Sequence, residues 1–94
     1  MPYIKQEDRT RFEHNIKGLA LNPPKTAGEL NYIVTRLCHI FLGTEARYQD
    51  YNDVIGALEG SKLELYRRMV GPYEDLKIEE NGDVHPRKEQ QDES

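Results

Sequence analysis

What the chain has little of is the first guide to it. Of its 94 residues only one, Cys38, is a cysteine, which excludes an intrachain disulfide and a thiolate metal cage. No apolar run approaches the roughly 20 residues that a membrane-spanning helix needs. The opening segment Met1–Asp8 turns charged at once, so it does not read as a secretory leader, and a cytoplasmic location is expected. Positive charge is not in excess where the chain is apolar enough to fold. Residues 1–73 hold ten Lys and Arg against nine Asp and Glu, while residues 74–83 hold five acids against one Lys. Binding to duplex nucleic acid draws on a basic face that displaces counterions, and the sequence shows none. Neither duplex nucleic acid nor a membrane is expected as a partner.

Catalytic signatures are missing as well. His14, His39 and His85 are not four apart and no HExxH occurs, so a zinc site has no support. There is no glycine-rich phosphate loop. Cys38 falls on an apolar helix face, where a thiol packs as an inert group. No cofactor and no catalytic residue is expected.

Hydrophobic residues make up 36% and charged residues 32%, a polar balance for a globular chain. A chain this short buries a limited share of its surface. It can fold alone only if its apolar residues are concentrated, or if a partner subunit covers some of them. They are concentrated, recurring in helical spacing from Leu30 to Val70 and ceasing after Val84. One helical domain over residues 1–85 and a disordered polar tail over residues 86–94 are expected.

Three helices follow from the pattern. The first covers Gln6–Leu21, with Phe12, Ile16, Leu19 and Ala20 on a narrow stripe, and ends at Asn22-Pro23-Pro24 because proline cannot continue the ladder. The second, Thr26–Leu42, opens on Thr26-Ala27-Gly28-Glu29, a capping box. Its Leu30, Ile33, Val34, Leu37, Cys38 and Phe41 share one face, and Gly43 supplies the stop. The third, Asp50–Val70, is capped by Asp50 and places Tyr51, Val54, Leu58, Leu65 and Met69 in one arc, until Gly71-Pro72 closes or kinks it. The second and third helices are expected to form the core. Beyond them Leu76, Ile78 and Val84 flank Asn81-Gly82, the favoured pair of a two-residue hairpin turn. A short C-terminal β-hairpin is the favoured reading, and its rival is a short helix begun by Pro72. The fold class is therefore mainly all-α, three helices with a short C-terminal hairpin.

Several residues stand out from ordinary packing. On the third helix Asn52, Gly56, Gly60 and Leu63 lie together, well round from the apolar arc. Glycine in a helix interior costs about 1 kcal/mol against alanine, so a close approach to this face is expected, by the first helix or by another subunit. Lys62 sits inside the apolar arc, where it either contacts an anion or lays its stem on the core. Arg67 and Arg68, with Tyr48 and Tyr51, offer planar forks and stacking faces to an anionic, nucleotide-like ligand. The plainer reading is a helix-end pair bridged to Glu64. Small all-α nucleotide hydrolases hold Mg²⁺ between carboxylates on facing helices. Here Asp50, Asp53, Glu59 and Glu64 meet only Glu29 on the second helix, an incomplete set that makes an enzyme the alternative rather than the first reading.

The opening Met1-Pro2-Tyr3-Ile4, the run Gly28–Ile33, the string Asn52–Glu59, then Lys62–Arg68 and Pro72–Asp75 through Asn81–Val84 together resemble a family of short uncharacterised proteins found in bacterial and bacteriophage genomes. The resemblance spans nearly the whole chain, leaving Lys88–Ser94 outside it. It implies a stand-alone protein of phage or mobile-element origin. The expected function is that of a small helical interaction protein, a homo-oligomer that sequesters an anionic ligand or a host protein.

Overall fold

Local signals place the helices close to where the periodicity puts them. In the computed structural model, which describes residues 2–86, the first helical stretch runs as α1 (Gln6–Arg9), a 3₁₀ turn (Thr10–Phe12) and α2 (Glu13–Leu21). It stops at Asn22, whose backbone leaves the helical region before the two prolines. The next helix, α3 (Ala27–Leu42), is capped by Thr26. The Glu29 N–H donates to the Thr26 hydroxyl oxygen at 3.1 Å. The reciprocal bond of the box lands one residue further back, where the Lys25 N–H donates to Glu29 Oε1 at 2.7 Å. A cap of this kind contributes about 1 kcal/mol. At the other end Gly43 takes φ 65° and ψ −153° and donates its N–H to the His39 carbonyl at 3.0 Å.

The third helix differs from expectation at both ends. As α4 (Tyr48–Leu65) it starts two residues earlier. Asp50 acts from inside the first turn, its Oδ2 accepting the Arg47 N–H at 2.9 Å, and is not the cap. The helix is not closed at Gly71-Pro72 either. A π-helical segment (Tyr66–Val70) follows α4 and leads into α5 (Gly71–Asn81). Proline has no N–H to give and its ring crowds the preceding turn. The wider π turn accommodates this, with the Gly71 N–H reaching back five residues to the Tyr66 carbonyl.

No β-hairpin forms, and no strand occurs among the described residues. Leu76 and Ile78, read as strand residues, lie on α5. Asn81-Gly82 ends that helix, Gly82 taking φ 89° and donating to the Ile78 carbonyl at 2.8 Å. The sequence pair that suits a hairpin turn also suits a helix stop, since both need a residue tolerant of positive φ. Pro72 in the first turn, the acid Glu74 beside it, and the Lys77–Glu80 pair at 3.5 Å all favour the helix. The expected polar tail falls, from residue 87 onward, outside the described residues.

Internal contacts divide the chain into two units, Met1–Ser61 and Lys62–Ser94. The first contains α1 to α3 and most of α4. The expected core of α3 and α4 is not closed within it. The two helices do not pack on each other along their length, and among the described residues no side chain is buried. The second unit is the end of α4, the π segment and α5, with the last two packed in series.

Candidate functional site

On α3, Leu30, Val34, Leu37 and Phe41 recur at spacings of four, three and four, which keeps them on one face. On α4, Val54, Leu58 and Ser61 do the same at four and three. Instead of meeting, these faces wall a groove of about 390 Å³ lined by Val34, Leu37, Cys38 and Phe41 from α3 and by Asp53, Val54, Ala57, Leu58 and Ser61 from α4. Leu37 is 55%, Phe41 62% and Leu58 39% exposed, so much of the apolar surface that helical periodicity aims inward stays in water. Each Å² of such surface left wet forgoes about 25 cal/mol. The polar side chains of the lining are Asp53 and Ser61. Asp53 Oδ1 accepts the Gln49 side-chain amide at 2.8 Å, and Ser61 closes the row.

In the second unit the chemistry is polar. The Tyr66 hydroxyl donates to Glu74 Oε1. In an uninterrupted α-helix residues eight apart are rotated by about 80°; the extra residue in the π turn brings these two onto one side. The hydrogen bond to Glu74 raises the Tyr66 phenol above its ordinary value of 10.0, and the carboxylate charge adds to this, as does partial desolvation. Ionising Tyr66 would set two negative charges together. The raised pKa means that this bond contributes its stabilisation fully below the unfolded phenol's value and loses it as pH rises through the folded one. A titration followed by tyrosinate absorbance is expected to contain a late component that Tyr66→Phe removes. The expectation fails if the wild-type and variant curves differ only by one phenol of ordinary pKa. The absence of tryptophan keeps that absorbance clean.

Residues 1–84 match the model of a domain of unknown function, DUF6899. The chain belongs to this family. The match takes in every helix of the described residues. No curated protein and no solved structure matches the chain. Among the described residues of this family member, no helix is long and apolar enough to cross a membrane.

The residues singled out in the sequence are distributed over both units. Tyr48 and Tyr51, 79% and 52% exposed, lie at the start of α4 in the first unit. Lys62, Arg67 and Arg68 belong to the second, Lys62 exposed on the last turn of α4 and the arginines exposed in the π segment. Arg67 pairs with Glu64 three residues before it, as the plainer reading expects. Glu74 accepts from Tyr66. On the small-residue face Asn52 and Gly56 are exposed, Gly60 is half-buried and Leu63 is 57% exposed. A Cβ added at Gly56 would meet nothing within 4 Å, so among the described residues no other element makes the close approach there. The groove residues Ala57 and Ser61 carried no signal of their own in the sequence, and Asp53 stood out only in the incomplete carboxylate set. The hint was indirect, in apolar faces on α3 and α4 with few residues elsewhere to cover them.

Proposed function

We propose that this chain is a helical interaction protein that acts as a homo-oligomer, with the apolar groove between α3 and α4 as its working surface. The observation that carries this reading is that helices with good caps and clear apolar faces bury no side chain among the described residues. Ordering each residue costs about 1–2 kcal/mol of backbone entropy, and burial of apolar surface is the main term that offsets it. A second subunit is a source of that burial. The apolar lining also favours a protein helix over a nucleotide as occupant, because a phosphate group in the groove would meet no cationic side chain and would face Asp53. The hydrolase alternative has less support. Asp50 and Asp53 are engaged by the Arg47 N–H and the Gln49 amide, and among the described residues no group of three His, Cys, Asp or Glu is placed to hold a metal ion.

Light scattering or sedimentation over a wide concentration range tests the proposal. The expected particle mass is a multiple of 11.0 kDa, and a strict monomer at every concentration overturns it.

A further inference from the structure

We propose that the occupant of the groove is α3 of a second copy, seated reciprocally, so that two chains form an isologous dimer. This rests on the self-assembly proposed above and names the surface and the partner segment.

Shape is the first argument. The α4 wall carries small side chains one turn apart, Ala57 and Ser61, opposite the bulky Leu37 and Phe41 of α3. That contrast leaves a slot along α4. A helix fits it if large apolar residues recur at spacings of four and three. Within this chain α3 has that pattern most fully, through Leu30, Val34, Leu37 and Phe41.

Reciprocity is the second. Leu30, Leu37 and Phe41 are 54%, 55% and 62% exposed, so α3 is a wall of its own groove and still has apolar surface to give. A two-fold axis uses both properties at once, because in an isologous contact whatever one copy inserts the other receives. The half-exposed side chains of α3 and the apolar lining of the groove are surface of the kind that the core of a stable interface buries. Charge does not oppose the pairing. The α3 helix carries one Glu and one Arg, and residues 1–73 are nearly neutral. The groove has no charge pattern that would instead select a strongly acidic or basic peptide.

Cys38 provides the test in the native protein, since it lines the groove, is half-buried in one copy and is the sole thiol. Its rate of reaction with a thiol reagent is measured at concentrations where the protein is assembled and where it is diluted. The expected result is a rate slower by about tenfold or more in the assembled state, as for a thiol at a desolvated interface core. Equal rates in the two states overturn the proposal while leaving self-assembly intact, with the groove then open to a different protein. If no concentration gives an assembled state, the earlier reading fails and this one fails with it. Two variants locate the contact. Ala57→Leu fills the slot and is expected to weaken association by about tenfold or more, whereas Gly56→Gln, on the small-residue face, is expected to leave it unchanged. The reverse pattern overturns the proposal and moves the interface to the face of Asn52, Gly56, Gly60 and Leu63.

Discussion

Diluting the protein tenfold is expected to lower its melting temperature by roughly 3–6 °C, with loss of helical signal and loss of assembly at the same concentration. The size follows from mass action. Each tenfold dilution removes about 1.4 kcal/mol from the stability of a dimer, and in a unit of this combined size 1 kcal/mol moves the midpoint by about 2–4 °C. The coupling follows from burial. Helices α3 and α4 have apolar faces that stay largely exposed within one copy, so in the proposed dimer much of the free energy that holds them helical comes from association. Isolated helices of their length, 16 and 18 residues, are marginal in water even with good caps. Circular dichroism melts at several concentrations, read beside sedimentation, check the expectation. A cooperative melt whose midpoint does not depend on concentration would mean that one copy holds its own fold.

Gly43→Ala is expected to destabilise the protein by about 1–3 kcal/mol per chain, an effect larger than that of most surface substitutions. Gly43 has φ 65° and ψ −153°, a region in which an L side chain is strained whatever space surrounds it. There is space in this case, since a Cβ would meet no atom within 4 Å, so the cost is conformational and not steric crowding by neighbours. The position also sets how the chain leaves α3 and enters α4, and so how the groove walls face each other. The variant is therefore expected to lose association affinity along with stability. Denaturant unfolding at fixed protein concentration gives the first quantity and sedimentation the second. An unchanged midpoint would show that the turn reaches the same geometry without positive φ.

Much of the helical structure is legible in local chemistry. Thr26 is an acceptor facing free N–H groups, and it caps α3 as its position three residues before Glu29 implies. The prolines at 23 and 24 stop the first helical stretch, and Gly43 stops the second. Where reading by residue type goes astray, one residue serves two structures equally well. Asn81-Gly82 fits a hairpin turn and a helix end, and the choice is made by the acids, the Lys77–Glu80 pair and Pro72 upstream. Gly71-Pro72 reads as a stop or a kink because a regular α-helix cannot absorb it, but a π turn can. That turn then pairs Tyr66 with Glu74, two residues whose eight-residue spacing gives no hint of contact.

The candidate site was legible in its parts and not in its form. Val34, Leu37, Cys38, Phe41, Val54 and Leu58 were expected on inward faces, and the structure puts them on faces that look toward each other. Periodicity fixes direction around a helix axis, because 3.6 residues per turn is a property of the backbone alone. It carries no information about the distance between two axes. That distance depends on the turn at Gly43, on the small side chains at Ala57 and Ser61, and on whether anything fills the space between. By itself the sequence determined where helices begin and end and which sides of them are apolar, since those are local matters of capping, propensity and spacing. Only the tertiary structure decided that the apolar sides of α3 and α4 form an open groove instead of a closed core, because that is a matter of non-local packing.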